Sequence, residues 1–248
     1  MLTRTRTARD PALALWIVVG ASWIAVTGLA LGGGTTAGEH DHVIEDSGGI
    51  AAFLGVWVVM LAAMMLPSVV PTARAFTAVS ANQAGPGPAR AVFYGTYLAV
   101  WSGFAVVALA GDTVVHEVAH RWGWLEDHEG VILGGTLLVA GAFQFSPLKK
   151  ACLRACRSPL ALVLRHYTGG VAGGWRTGKA HALNCLGCCW ALMLVMFATG
   201  VGSLLWMAGL TAVMVAEKTT KWGGRIVVPT AAVLLVSGGW LTLSAVVG

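Results

Sequence analysis

The stretch IAAFLGVWVVMLAAMMLPSVV, residues 50–70, decides the fold class of this chain. It contains no charged side chain, and as a helix it would be about 30 Å long, which is the thickness of the hydrocarbon core of a bilayer. An uninterrupted apolar segment of this length is typical of a transmembrane helix. The stretch therefore predicts an integral membrane protein.

The same pattern recurs along the rest of the chain. Seven apolar stretches are candidate spans: 12–31, 50–70, 91–111, 131–145, 182–199, 203–216 and 226–247. The fourth and sixth are short, and the turn at 200–202 is tight enough that the fifth and sixth could form a re-entrant hairpin. We prefer two full spans there. The prediction is an all-α, polytopic transmembrane helix bundle with about seven spans, in which residues 1–248 form a single integral membrane domain.

Composition supports this class and excludes a soluble enzyme. Of the 248 residues, 56% are hydrophobic and only 11% are charged, whereas soluble domains carry about 25% charged residues. The net charge of +5 does not indicate nucleic-acid binding, because the basic residues lie between apolar spans. The first span is too long for a signal peptide and lacks a clear cleavage site, so we expect a retained anchor.

The distribution of charge sets the orientation. With the N-terminus in the cytoplasm, all but one of the 16 basic residues fall in inner segments, and only Arg121 falls outside. Positive charge in short loops favours the cytoplasmic side. The sequence therefore predicts a cytoplasmic N-terminus and an external C-terminus for a multi-pass protein of the cell membrane.

All five cysteines lie at or near the predicted cytoplasmic face. Cys152 and Cys156 are one helical turn apart in a basic loop, and the motif CLGCC supplies Cys185, Cys188 and Cys189. An odd number of cysteines facing a reducing compartment argues against a disulfide framework. The basic loop should favour the thiolate form, which binds metals. A loop over residues 157–184 separates the two groups, and the sequence does not show whether they meet.

The fifth span carries further sulfur. Cys185, Cys189, Met193 and Met196 share one helical face, with Cys188 at its edge. Thiolates and thioethers are soft ligands that favour Cu(I), while thiolates alone suit zinc equally well. The alternative is that methionine and cysteine simply fill an apolar core, which is the reading we favour for the methionines. For the cysteines we favour a metal or redox role.

Five segments carry a resemblance to a known family. They are AAMMLP (62–67), YLAVWSGF (97–104), QFSPLKKACLRACRSPL (144–160), NCLGCCWALM (184–193) and WMAGLTAVMVAEK (206–218). The chain resembles a family of bacterial integral membrane proteins that are described as predicted metal-binding proteins of unknown function, some of them labelled copper chaperones. The resemblance implies a bacterial inner-membrane location and a site at the five cysteines. Other matching positions, for which we expect structural roles, are Pro67, Pro147, Lys149, Glu217 and Lys218.

A second cluster lies at the outer end of the third span. HEVAH, residues 116–120, fits the HExxH pattern of zinc proteases, in which the glutamate is the general base. The motif lacks the longer protease signatures, so we weigh metal binding without hydrolysis and a solvated polar helix end above proteolysis. A second, outer metal site would use Asp112, His116, His120 and His128. The first outer loop, residues 39–46, is also rich in acids and histidines, which suit Cu(II), zinc or nickel.

Glu217 and Lys218 are charged residues close to the inner leaflet. We expect them to pair with each other and anchor the sixth span. The rest of the chain shows no ladder of intramembrane charges and no nucleotide-binding loop. These features argue against a proton-coupled transporter and against a nucleotide-driven pump.

The leading hypothesis is a membrane metal-binding protein that handles copper, with zinc as the alternative ion. The sites would be the five cysteines, with Met193 and Met196 as relay ligands, and the expected partners are membrane lipid and a metal-receiving protein, not nucleic acid. The second hypothesis is a dithiol redox protein in which Cys185 and Cys188 cycle against Cys152 and Cys156. A zinc protease and a structural subunit are the remaining alternatives, and a non-enzymatic role is preferred.

Overall fold

The structure is a computed structural model that describes residues 10–31, 47–82, 85–126, 128–199 and 203–247. Within these residues the chain is all-α, as predicted. The helices are α1 (Ala12–Leu31), α2 (Ser47–Ser80), α3 (Pro86–Arg121), α4 (Gly123–Glu126), α5 (Glu129–Phe143), α6 (Pro147–Cys156), α7 (Pro159–His166), α8 (Gly170–Ala198), α9 (Leu204–Thr219) and α10 (Gly223–Val247).

Five of these helices are long and apolar enough to cross a membrane: α1, α2, α3, α8 and α10. Helices α5 and α6 pass the same test only as a pair bent by 68°, which gives a sixth crossing or a re-entrant segment. Helix α9 has 16 residues, fewer than the roughly 20 that a straight span needs. The prediction of about seven spans is therefore not confirmed, and the structure supports five or six.

Several helices extend beyond the apolar stretches that predicted them. Helix α3 has 36 residues, about 54 Å at 1.5 Å per residue, so its polar end at Arg121 continues past a hydrocarbon core of roughly 30 Å. Helix α8 begins at Gly170 instead of Ala182. Hydropathy marks the part of a helix that lies in lipid, whereas backbone hydrogen bonds continue into its polar flanks. For the same reason, the predicted loop over residues 157–184 is wrong, since α7 and the first half of α8 occupy most of it.

Helices α1 and α2 form an antiparallel pair. Two hydrogen bonds run from Arg74 Nε to the carboxylate of Asp10, both at 3.1 Å, and Arg74 Nη2 donates to the same group at 2.8 Å. These contacts hold the pKa of Asp10 below its usual value. They also place the start of α1 and the later part of α2 at one end of the bundle. The basic residues of the N-terminal tail, Arg4, Arg6 and Arg9, lie outside the described residues, and the cytoplasmic position of the N-terminus stays a prediction.

A serine and a proline redirect the chain into α6. Pro147 opens the helix, and the residue before it, Ser146, has an extended backbone with ψ 145°, as expected before proline. The Ser146 hydroxyl accepts a hydrogen bond from the backbone N–H of Lys149 at 3.0 Å, which caps the new helix. This cap, together with Pro147, starts α6 at a sharp angle to α5, and α6 then packs against α8.

Helix α8 packs on α3 through two glycines one turn apart. A Cβ built on Gly178 would lie 2.7 Å from the backbone oxygen of Phe93, and one built on Gly174 would collide with the carbonyl group of Ala89. Small residues at this spacing allow close helix contact in membranes. Gly134 and Gly238 play the same part between α5 and α10, where each meets the other's carbonyl oxygen.

The interior of the bundle is rich in sulfur. Seven methionines on α2, α8 and α9 are no more than 1% exposed: Met60, Met64, Met65, Met193, Met196, Met207 and Met214. Large aromatic side chains pack around them, among them Trp57 and Trp101, and Phe76 stacks on Phe93 with a centroid distance of 4.8 Å. Complete burial is what a core-filling role for the methionines requires.

Gly178→Ala should destabilise the protein by about 1–3 kcal/mol, because its new methyl group overlaps the backbone of α3. Gly95→Ala is the matched control, since a Cβ on Gly95 meets nothing within 4 Å. It should be neutral or stabilising by up to about 1 kcal/mol, the difference in helix propensity between the two residues. Thermal unfolding of the purified variants in detergent measures both. Equal stability of the two variants would show that α3 and α8 are not in close contact.

Candidate metal centre

Three of the five cysteines lie on one turn of α8 and point into the bundle. Cys185, Cys188 and Cys189 are each 1% exposed. The thiols of Cys188 and Cys189 both donate to the backbone carbonyl of Cys185, at 3.1 and 2.8 Å. Spacings of three and four residues place side chains on the same helical face. The three sulfurs consequently lie close together in an apolar environment.

Helix α6 brings the other two cysteines to the same place. The side chains of Cys156 and Cys188 lie within interaction distance of each other. The sulfur of Cys152 lies against α8 at Gly187, where an added Cβ would be only 2.6 Å away. All five thiols are free. The two cysteine-bearing stretches, whose meeting the sequence left undecided, are therefore neighbours in the fold.

A buried lysine contacts the α8 cysteines. Lys218, on α9, is 7% exposed, and its Nζ lies 3.1 Å from Cys185 Sγ and 3.5 Å from Cys189 Sγ. Its other contacts are Ser68 Oγ at 3.4 Å and Met65 Sδ at 3.8 Å, both on α2. An ammonium group at these distances attracts a thiolate. The cation that touches these thiols thus comes from α9 and not from the basic loop.

Glu217 points to a different helix from its neighbour Lys218. The partner of Glu217 is Lys149 on α6. Lys149 Nζ and Glu217 Oε2 are 2.7 Å apart, and the two side chains are 1% and 2% exposed, respectively. Arg157 Nη1 also donates to the backbone oxygen of Glu217 at 2.8 Å. The expected Glu217–Lys218 pair is wrong, because consecutive helical residues point about 100° apart. Glu217 instead joins α9 to α6, and Lys218 joins α9 to α2 and α8.

Tyr97 and His181 extend the polar cluster towards α3. The Tyr97 hydroxyl lies 3.3 Å from Cys185 Sγ, and its ring stacks on His181 with a centroid distance of 5.5 Å. His181 is 3% exposed, and within the described part of the chain neither of its ring nitrogens has a hydrogen-bond partner. Sequence reasoning missed both residues. The spacing His181–x3–Cys185 was a usable signal for the histidine, since it places both on one helical face.

A comparison with models of protein families shows to which family the chain belongs. A family model described as PpoB2, copper chaperone, matches residues 54–241. The chain belongs to this copper chaperone family. The match extends from α2 into α10 and includes all five cysteines. It confirms the resemblance found in the sequence. None of the curated proteins and none of the solved structures that were searched matches the chain.

Over the described ranges, no group of three or more His, Cys, Asp or Glu side chains is placed to hold one metal ion. Structural zinc sites use four ligands in a tetrahedron, whereas Cu(I) is a soft ion that thiolate ligands select and that accepts two of them. A single site of all five cysteines, and ligation by Met193 and Met196, stay predictions. Cys185 and Cys189 are the two thiols that both contact Lys218.

The HEVAH motif lies near the exposed end of α3. His116 Nδ1 lies 3.0 Å from the backbone oxygen of Asp112 and 3.6 Å from its carboxylate. Glu117 forms an ion pair with Arg121 at 2.9 Å, with both side chains mostly exposed. A general base for hydrolysis would be needed beside a metal and not in a solvent-exposed ion pair. These contacts are those of a solvated helix end, and a protease role gains no support from them.

The remaining parts of the outer cluster also have local contacts. His128 stacks on Trp124 with centroids 4.5 Å apart, and its Nδ1 lies 2.6 Å from the Trp124 backbone oxygen. His120 also interacts with another group in the structure. The first outer loop, residues 39–46, lies outside the described residues. The outer metal site of Asp112, His116, His120 and His128 stays a prediction.

The buried ion pair gives a direct test of the α6–α9 contact. Lys149→Met should cost about 3–5 kcal/mol of stability, because it leaves the Glu217 carboxylate buried without its partner. The double variant Lys149→Met/Glu217→Leu removes both charges and should recover most of that loss. Thermal unfolding in detergent of Lys149→Met, Glu217→Leu and the double variant gives the coupling energy between the two side chains. Additive losses would mean that the two side chains do not interact.

Proposed function

We propose that this protein is a membrane-embedded copper chaperone that carries Cu(I) on its buried cysteines. The observation that carries the proposal is the pair Cys185 and Cys189 beside Lys218, inside a bundle whose family is described as copper chaperones. Thiolate sulfur selects Cu(I) over harder ions. The ion is the cargo of the protein, and zinc is the alternative ion.

The exposure of the sulfurs supports a proposed direction of ion movement. Cys152 is half-buried, Cys156 is 9% exposed, and Cys188 and Cys185 are each 1% exposed. An ion that arrives at Cys152 can pass to Cys156 and Cys188 by exchange of one thiolate for the next. It would reach the Cys185–Cys189 pair last. A metal-receiving protein would therefore dock at the Cys152 edge.

Two methionines follow the cysteines along α8. Met193 follows Cys189 by one turn, and Met196 follows by two. Both are fully buried on the interior face. Thioethers are neutral soft ligands and release Cu(I) more easily than thiolates do. Under this proposal they relay the ion between the thiol cluster and the deeper part of the bundle.

The proposed location is a bacterial inner membrane, with the cysteines at the cytoplasmic side. Five apolar helices of sufficient length support a multi-pass protein. The concentration of basic residues between Lys149 and Lys179 supports the inner position of this end. A reducing cytoplasm would keep the five thiols free and competent to bind.

A dithiol redox role is the second candidate. The observation that favours it is the proximity of Cys156 and Cys188, which come from different helices and are both free thiols. Such a pair could form a disulfide and exchange it with a partner dithiol. Trapping with a cysteine variant separates the two functions, because a redox protein yields a mixed disulfide with its partner and a copper carrier yields none.

Cys185→Ser and Cys189→Ser should each lower the Cu(I) content of the purified protein to less than about a tenth, because loss of one of two soft ligands removes most of the affinity. Cys156→Ser should reduce the rate of copper transfer to a chelator more than it reduces the amount bound. Metal analysis after anaerobic purification measures content, and absorbance of a Cu(I) chelator measures transfer.

Ala191→Ser is the matched control for these variants. Ala191 lies on α8, is 1% exposed, and gains a buried hydroxyl just as the cysteine variants do, without loss of sulfur. It should bind copper like the unmodified protein. Unchanged copper content in both Cys185→Ser and Cys189→Ser would rule out the proposed site.

A further inference from the structure

Lys218 is a buried cation whose contacts, among the residues that the structure describes, include no carboxylate. Its ammonium nitrogen meets the sulfurs of Cys185, Cys189 and Met65 and the hydroxyl of Ser68. The neighbouring carboxylate of Glu217 is paired with Lys149 at 2.7 Å. That pair is neutral in itself. The positive charge of Lys218 therefore has to be balanced by the sulfurs, because a buried charge without a partner is costly.

The balance of charge depends on which ion the cysteines hold. Two thiolates carry two negative charges, and Lys218 carries one positive charge. A monovalent ion between Cys185 and Cys189 makes the buried site neutral. A divalent ion on the same two thiolates leaves one uncompensated positive charge in the apolar interior, next to an ammonium group that repels it.

A third thiolate would remove this penalty for a divalent ion. Across the described residues, however, no three cysteine, histidine or acidic side chains are placed to share an ion. The third cysteine of α8, Cys188, interacts with both Cys156 on α6 and Cys189, whereas the two thiols that Lys218 contacts are those of Cys185 and Cys189. The Cys185–Cys189 pair with Lys218 is thus matched to a single positive charge.

We propose that Lys218 is the residue that determines the charge of the ion accepted at Cys185 and Cys189, and that it selects monovalent soft cations over divalent ones. The inference rests on the proposed function, because it assumes that these two cysteines bind a metal. It goes further in that it assigns specificity to a side chain that is not a ligand. It also explains why a basic residue lies beside a site for a cation.

Silver(I) and cadmium(II) make a suitable pair of probes. Both are soft ions that bind thiolates, and they differ in charge and in preferred coordination number. Because the two thiolates are the same in every Lys218 variant, a change in the ratio of the two affinities between these variants reports the effect of charge. The full-length protein, purified in detergent, is incubated with both ions together so that they compete for the site. The amount of each bound metal is then measured by mass spectrometry. Parallel samples of Cys185→Ser and Cys189→Ser show how much of each ion is held by the pair.

The unmodified protein should take silver in preference to cadmium at the cysteine pair. Lys218→Met keeps a side chain of similar length without charge, and it should lower the ratio of silver to cadmium affinity by about tenfold or more. Lys218→Arg keeps the charge and should keep the preference. Lys221→Met removes an exposed lysine that follows α9 and should change nothing.

Two results would overturn the inference while the proposed function stands. One is a cysteine-dependent site that binds cadmium as tightly as silver in the unmodified protein, which needs no variant to fold. The other is an unchanged ratio in a folded Lys218→Met protein that still binds metal through its cysteines. If silver binding is the same in Cys185→Ser and Cys189→Ser as in the unmodified protein, the proposed function fails, and this inference fails with it.

Discussion

The arrangement around the candidate site depends on the burial of one ammonium group. Lys218 lies in the interior of an apolar helix bundle, and such a charge is tolerated only beside groups that stabilise it. Its contacts fix the relative positions of α9, α8 and α2, since they reach Cys185, Cys189, Met65 and Ser68. The same contacts provide the positive charge that a cluster of thiolates needs.

The second buried charge system fixes the remaining helix of the site. Lys149 on α6 and Glu217 on α9 form an ion pair that is almost fully enclosed. Because Glu217 and Lys218 are consecutive, α9 holds α6 with one side chain and α8 with the next. This explains how the short α9, which is not long enough for a straight span, nonetheless contributes to the site. The glycine contacts of α8 with α3 fix the position of α8 against a further helix of the bundle.

Membership of the copper chaperone family and the geometry of the cysteines support the same function by independent routes. The family match covers most of the chain but does not by itself place any ligand. The structure brings together the sulfurs from α6 and α8 and encloses them to different degrees. A graded series of thiols, from half-buried Cys152 to enclosed Cys185, suits a protein that must both acquire and release its ion.

The amino-acid sequence by itself determined the all-α class, the apolar helices, the five cysteines and the family, because hydropathy, spacing and motifs are local properties of the chain. The number of spans that it predicts is not confirmed, and its prediction of a loop between the cysteine groups is wrong. Hydropathy does not report where a helix continues outside lipid or bends at Pro147. Tertiary structure alone decided that Glu217 pairs with Lys149, that Lys218 contacts two thiols and that Cys156 meets Cys188. These contacts join residues up to 68 positions apart in the chain, and no periodicity in a single helix encodes which neighbour each side chain will meet.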